Sequence, residues 1–429
     1  MLKIFFTVIA ANFFVCLSLT AQKDTILFAR QATKENRAKD YRNLVNNSIN
    51  KNLSLNLTAT TEKNWQAAFW AMELINYKSP WANNKIRSAF DSIEIRSTDF
   101  QRAALELIYT LQSKEHTSAV HKLLLQTGNS KVFAMCAEYL LLFDNSKSLN
   151  TELSTITHQK ISTVKEPNNY AILYSLSRQL GDRITGTILP TLNPGPLFAA
   201  DYLKGNVLVY SIQRKNRNYP GIAIVKDKNG NFITDNQGNI FTVPQLARSI
   251  TNLPGYLTNG NTPQGLFRMD GFEVSKSTFI GPTENIQLTM PNETSIAHFI
   301  KDSTATDTLF TYPLYANLLP ESLKNYQPLY ESFQAGMAGR TEIIAHGTTV
   351  NTEYYKKQSY YPLTPTLGCL CTKEIWSTVD GSRLESDQQK LVDAVKKAGG
   401  ADGYYIVVEI DDQQKPVSLK EILPYLPKK

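Results

Sequence analysis

Cys369 and His346 are the residues of this chain whose types and spacing could do covalent chemistry. The cysteine closes Thr366-Leu367-Gly368-Cys369, and His346-Gly347-Thr348 begins 23 residues upstream. That separation far exceeds one helical turn, so the two side chains can meet only across a fold. A thiol beside an imidazole can give up its proton and become a nucleophilic thiolate near neutral pH. Gly368 lets the chain turn sharply before the cysteine and aim backbone N–H groups at a developing oxyanion. The bland alternative is a buried core thiol and a loop histidine with satisfied hydrogen bonds. Cys371 adds a second thiol two residues on. Cys369, Cys371 and His346 together offer three metal ligands, but their spacing fits no structural zinc pattern, and no metal is expected. A strained disulfide between the two thiols would mask the nucleophile; the favoured reading leaves both free. His298 is a second candidate base in a strand-like segment, without a motif around it, and a structural role is expected. His116, His121 and His158 lack carboxylate-rich surroundings and are expected to pack or face solvent.

The N-terminus predicts the compartment. Lys3 supplies positive charge, Ile4 to Leu19 is nearly all apolar, and Leu19-Thr20-Ala21 is a small-residue cleavage site. Residues 1–21 therefore read as a cleavable signal peptide. Cys16 follows Phe14-Val15 rather than a small residue, which argues against lipid attachment. A soluble, periplasmic mature protein is expected, not an integral membrane protein. Removal of the signal leaves Cys136, Cys369 and Cys371, an odd number in an oxidising compartment, so at least one thiol stays free. Cys136 lies in an apolar helical stretch and reads as core. The formal charge of +7 on 429 residues is modest and scattered. With no basic stripe and no stacking motif, nucleic acid is not an expected partner.

The elements that must position the site fall into two halves. From about Ala32 to Leu180, apolar residues recur at three- and four-residue spacing, with breaks at Lys78-Ser79-Pro80 and Gly128-Asn129-Ser130. This predicts a helical domain over 22–185, with helical-hairpin stacking of a solenoid kind as one arrangement. Trp65, Phe69, Trp70 and Trp81 read as core rather than a ligand platform. Proline and glycine around Asn193-Pro194-Gly195-Pro196 mark a linker, 186–205. Beyond it the period changes. Val207 to Ile212, Gly221 to Val225, Gly265 to Met269, Asn285 to Met290, Thr341 to Ala345 and Tyr404 to Ile410 read as strands. Glu321 to Met337 and Ser386 to Ala398 read as helices. A mostly β domain with a few helices is expected over 206–429.

Three segments of this second half carry a resemblance. Asn261-Thr262-Pro263-Gln264-Gly265-Leu266-Phe267 is similar to a Thr-Pro-x-Gly-x-Phe turn. Ile343 to Thr348 is similar to a strand ending in His-Gly-Thr. Thr366-Leu367-Gly368-Cys369-Leu370 is similar to a Ser/Thr-x-Gly-Cys-aliphatic segment. In this order they resemble the L,D-transpeptidase (YkuD-type) catalytic domain family, over roughly Asn206 to Ile410, about half the chain. The resemblance implies Cys369 as acyl-accepting nucleophile, His346 as base, and the N–H groups of Gly368 and Cys369 as oxyanion donors. It implies transfer on peptidoglycan stem peptides through a thioester, with no cofactor. Thr366, Gly347, Thr348, Tyr360 and Tyr361 are the expected substrate-binding residues, the tyrosines as part of a loop over the site. The family pattern places Arg where this chain has Cys371; Arg340 and Lys373 are candidate replacements. Two alternatives stay open: a peptidase or amidase with water as acceptor, and a non-catalytic cell-wall-binding scaffold. The helical half is expected to position the domain or recruit an envelope protein.

Overall fold

The computed structural model describes residues 26–187, 190–307 and 310–427. Residues 1–21, expected from the sequence as a signal peptide, lie outside the described residues. The first half is helical. Helices Glu62–Leu74, Pro80–Phe90, Thr98–Thr110, Thr117–Gln126, Ser130–Phe143, Lys147–Thr163 and Pro167–Thr185 follow one another. Their starts are written in the sequence. Ser79, Ser97, Asn129 and Ser146 each accept a backbone N–H of the first turn, and Pro80 takes the first helical position. Gly186, at φ +68°, ends the last helix. Helices 62–74, 98–110, 130–143 and 167–185 pack side by side in order, while 117–126 and 147–163 each pack on the helix that follows them. Helix 147–163 had no apolar stripe to announce it: its buried residues are only Asn150, Leu153 and Thr157.

The second half is a closed eight-stranded barrel. In chain order the strands are β1 (Val207–Arg214), β2 (Gly221–Lys226), β3 (Val243–Leu246), β4 (Gly265–Glu273), β5 (Asn285–Thr289), β6 (Ile344–His346), β7 (Leu370–Thr372), β8 (Glu374–Trp376), β9 (Arg383–Ser386) and β10 (Asp402–Asp411). The barrel runs β1-β10-β4-β5-β6-β7-β3-β2, and β8 and β9 form a separate hairpin. Val209, Val225, Val243, Phe267, Ile286, Ala345, Leu370 and Val407, from all eight barrel strands, share one core with Leu391, Val392 and Val395 of helix Asp387–Ala398. Their strand neighbours face outward. Leu208, Tyr210, Leu266 and Ile406 form a second core with Phe299, Tyr315 and Phe333. Residues 186–205, expected as a linker, include a short helix, Gly195–Phe198. Leu197 and Phe198 are buried in that second core, and Tyr210 donates to the Leu197 carbonyl at 2.6 Å.

The β3–β4 segment ties the halves together. Ile250, Leu253, Tyr256 and Leu257 belong to the core of the helices. Tyr256 donates to Glu138 Oε1 at 2.6 Å, and Asn259 donates to Glu106 Oε2 at 3.0 Å. Among the described residues no helix is long and apolar enough to cross a membrane.

Candidate active site

Helix Glu331–Met337 ends beside the site. Gly339, at φ +79°, reverses the chain, and the N–H of Arg340 returns to the Ala335 carbonyl at 3.0 Å. The turn delivers Arg340 inward, 6% exposed. Its guanidinium donates to the carbonyls of Gly255, Asn261 (2.7 Å) and Gly260 (2.8 Å), all on the β3–β4 segment. Burial pulls its pKa down to about 10, and Cys369 is the ionisable group acting against that shift. Gly368 lies on the same guanidinium: a Cβ there would overlap Arg340 Nη2. Lys373, the other candidate cation, instead pairs with Glu385 at 2.8 Å.

Cys369 is half-buried, immediately before β7. Its Sγ lies 3.6 Å from the Glu342 carbonyl oxygen. Glu342 adopts φ +63°, uncommon for a side chain of its size, while its N–H donates to Glu293 at 2.9 Å. Burial pushes the Cys369 thiol up; the Ile344 N–H and the Arg340 charge pull it back, and Glu342 pushes it further up. Thr366 organises the turn. Its Oγ1 accepts from Gly368 N–H at 3.0 Å and donates to the Cys369 carbonyl at 2.9 Å, while Thr262 donates to the Gly368 carbonyl at 2.8 Å. The Gly368 N–H, expected as an oxyanion donor, is therefore engaged within the loop. Thr366 shapes the turn before Cys369 with the same hydroxyl that substrate contact would need. Leu367, 49% exposed, stands at the loop tip.

His346 does not stand opposite Cys369. Strands β6 and β7 run parallel, with Ala345 opposite Leu370 and His346 opposite Cys371. Among the described residues no hydrogen bond joins the imidazole to either thiol. Nδ1 lies 2.5 Å from the Gly347 carbonyl oxygen, which can only accept, so Nδ1 carries the proton and Nε2 the lone pair. Burial lowers the imidazole to about 4, against which the Gly347 bond works. The resting site is thus a neutral thiol and a neutral imidazole, with Arg340 as its cation.

Behind His346 the outward face of β6–β7 is closed. Cys371 is fully buried, 3.7 Å from Thr364 Oγ1, and burial pushes its thiol up to about 12. Thr348, 2% exposed, accepts from Thr364 at 3.0 Å through its hydroxyl and from Trp376 Nε1 at 2.8 Å through its carbonyl. Gly347 backs onto Glu374, whose Oε2 would collide with any Cβ. Tyr360, 3% exposed, packs with Leu246, Tyr355 and Leu363 beneath the Arg248 guanidinium. Thr348 and Tyr360 therefore offer no surface to a substrate; their polar and aromatic atoms are consumed in fastening the 348–365 segment. Tyr355 ties this segment to the helices, donating to the Leu74 carbonyl at 2.7 Å. Tyr361 alone of the two expected tyrosines is open, 40% exposed, and donates to Glu353 at 3.1 Å. His298 lies on a short helix, Ile296–Ile300, rather than a strand, and pairs with Asp270 at 2.7 Å. The three cysteines described are free. No cluster of metal-binding side chains occurs among the described residues.

Glu374 had no place in the sequence reading. It is 4% exposed, accepts from Thr283 and Ser386 at 2.6 Å through Oε1, and leaves Oε2 without a hydrogen-bond partner. Burial raises its pKa from 4.5 to about 7. A raised folded-state value stabilises the protein fully below the unfolded value and is lost as pH rises through the folded one. The advantage of Glu374→Gln over the parent should therefore grow by about 1.4 kcal/mol per pH unit between those two values. Urea melts at pH 4.5, 6 and 7.5 measure it; a stability difference that does not change with pH would refute the buried-acid assignment.

No family model, curated protein or solved structure matches this chain.

Proposed function

We propose that this chain is an exported cysteine acyltransferase acting on peptidoglycan stem peptides, with Cys369 as the nucleophile. The observation that carries the reading is the buried Arg340 guanidinium beside Gly368 and the half-open Cys369. A fixed cation there favours the thiolate and occupies the role for which the resemblance supplies an arginine two residues after the cysteine. In the first half-reaction Cys369 Sγ bonds to an amide carbonyl carbon, the C–N bond breaks, and the amine leaves with the thiol proton. An acceptor amine then bonds to the thioester carbonyl carbon, the C–S bond breaks, and the proton the amine loses returns to Sγ. His346 Nε2 holds the free lone pair for proton movement. Its pKa of about 4 makes it a weak base in the resting protein, and its register with Cys371 sets it two strand residues beyond the proposed nucleophile.

The scaffold reading draws on a specific observation too: the engaged Gly368 N–H removes one expected oxyanion donor. Incubation of the reduced mature protein with tetrapeptide-stem peptidoglycan fragments, followed by mass spectrometry, separates the readings. Joined stems or exchanged terminal residues, lost at least about a thousandfold in Cys369→Ala, are expected. Shortened stems alone would make water the acceptor and the chain a hydrolase. Identical spectra from parent and variant would reject catalysis by Cys369.

A further inference from the structure

A half-open cleft of about 960 Å³ lies where helix Pro167–Thr185 meets the barrel, and neither Cys369 nor His346 lines it. Helix Glu331–Met337, the segment that follows β1 (Lys215 to Arg217) and the end of β10 line it. Glu331 accepts from the Gln264 backbone N–H at 2.9 Å and from Gln264 Nε2 at 3.1 Å. The same Nε2 donates to Glu409 Oε2 at 3.1 Å, and Glu409 Oε1 pairs with Arg217 at 2.9 Å. Two carboxylates thus share one amide group, which puts their nearest oxygens within about 6 Å of each other. Of the two, Arg217 hydrogen-bonds only Glu409, while its charge and that of Arg178 reach Glu331 from farther off. Burial raises the pKa of both, and the Glu331 carboxylate adds to that rise at Glu409.

Gln334 is the independent observation. It lines the same cavity, is 6% exposed, and its Nε2 has no hydrogen-bond partner. A buried amide donor left unpaired is costly, and a ligand acceptor would recover that cost. Glu331 and Gln334 are three residues apart on one helix, so their side chains are neighbours on one face, about 5–6 Å apart at Cβ. An acceptor of negative charge and an unsatisfied donor at that spacing match the two ends of one α-amino acid unit. Its ammonium neutralises the carboxylate pair, and its carboxyl or carbonyl oxygen satisfies the amide. A simple metal ion would use the carboxylates and leave Gln334 unpaired.

We propose that this cavity binds the free amino-terminal end of a short peptide, the α-ammonium on Glu331 and Glu409 and the adjoining carbonyl oxygen on Gln334. The site is separate from the thiol chemistry and stands or falls without it. Thr262 nevertheless lines the cavity and bonds the Gly368 carbonyl, so the two sites share one segment.

Isothermal titration of the full mature chain with L-alanyl-L-alanine tests the proposal, with N-acetyl-L-alanyl-L-alanine as the probe lacking the ammonium. The free dipeptide should bind, the acetylated one at least about tenfold more weakly, the scale of losing a desolvated charge pair. Gln334→Ala, which removes no charge, should weaken the free dipeptide by about fivefold. Glu331→Gln should abolish the preference for the free amine. The comparison of the two probes on the parent protein needs no variant to fold. Equal binding of both probes, or no binding of the free dipeptide up to about 10 mM, would overturn the proposal.

Discussion

Arg340→Leu should destabilise the protein by about 3–5 kcal/mol and slow alkylation of Cys369 at pH 8 about tenfold. Three carbonyls, of Gly255, Gly260 and Asn261, lose their donor at once. Each buried acceptor left without a partner costs about 1 kcal/mol or more, and the lost packing against Gly368 adds to it. The kinetic effect has a separate cause. The Cys369 thiol is already raised by burial, and the guanidinium is one of the two influences holding it down. Below the thiol pKa the alkylation rate follows the thiolate fraction, so one further unit upward is tenfold. Arg340→Lys should recover part of the rate, since the charge remains, and less of the stability, since one ammonium cannot serve three carbonyls in fork geometry. Urea denaturation and iodoacetamide kinetics measure the two effects independently. A Leu variant that melts with the parent and reacts as fast would show that Arg340 neither holds the β3–β4 segment nor tunes the thiol.

Gly368→Ala should cost at least about 3 kcal/mol and displace the Thr366–Cys369 turn. The backbone there sits at φ +122°, a region closed to side chains bearing a Cβ. The added methyl would overlap Arg340 Nη2 and approach the Gly260 carbonyl oxygen to 2.7 Å. Relief requires moving the guanidinium from the carbonyls it serves, so backbone strain and lost hydrogen bonds add. Gly128→Ala is the control: it lies between two helices with nothing within 4 Å of its Cβ position, and should change stability by no more than about 0.5 kcal/mol. Equal melting of the two variants would contradict the close packing of Gly368.

The candidate site was legible where a residue type is scarce and its neighbours form a recognisable turn. Cys369 could be singled out because Thr366 and Gly368 beside it form a turn, and the turn is present, closed by the Thr366 hydroxyl. Its use of Gly368 N–H was not legible, because a threonine hydroxyl can serve the loop or a ligand and the sequence does not say which. The long strands β1, β4 and β10 are runs of branched and aromatic residues and announced themselves. Strands β3, β7, β8 and β9 have only three or four residues, too few to show a period. Register decided the rest. Parallel pairing of β6 and β7 sets His346 beside Cys371, and nothing in a separation of 23 residues specifies which of two thiols an imidazole will face. Glu374 escaped notice for a related reason. In Glu374-Ile375-Trp376 the expected inward residue is Ile375, yet Ile375 is 41% exposed and Glu374 is buried with Trp376. The hairpin's second face is covered by the 283 and 348 segments, a tertiary fact that local hydropathy does not encode. The tyrosines of 354–361 show the same ambiguity, since a tyrosine suits a groove and a core equally.

The pairing of β1 with β10 carries a consequence for how the chain reaches this state. Val207 stands opposite Gly403, and the ladder continues in parallel to Arg214 opposite Asp411. The first strand of the barrel therefore waits for the last before its second edge is covered. During synthesis the helical half can fold while the barrel is still incomplete, and the apolar flank of β1 stays open across nearly the whole length of the domain. Such distant pairing slows folding and exposes a strand edge to other chains. Loss of β10 by early termination would leave that edge permanently open, so truncation near the C-terminus is a route to aggregation rather than to a smaller working protein.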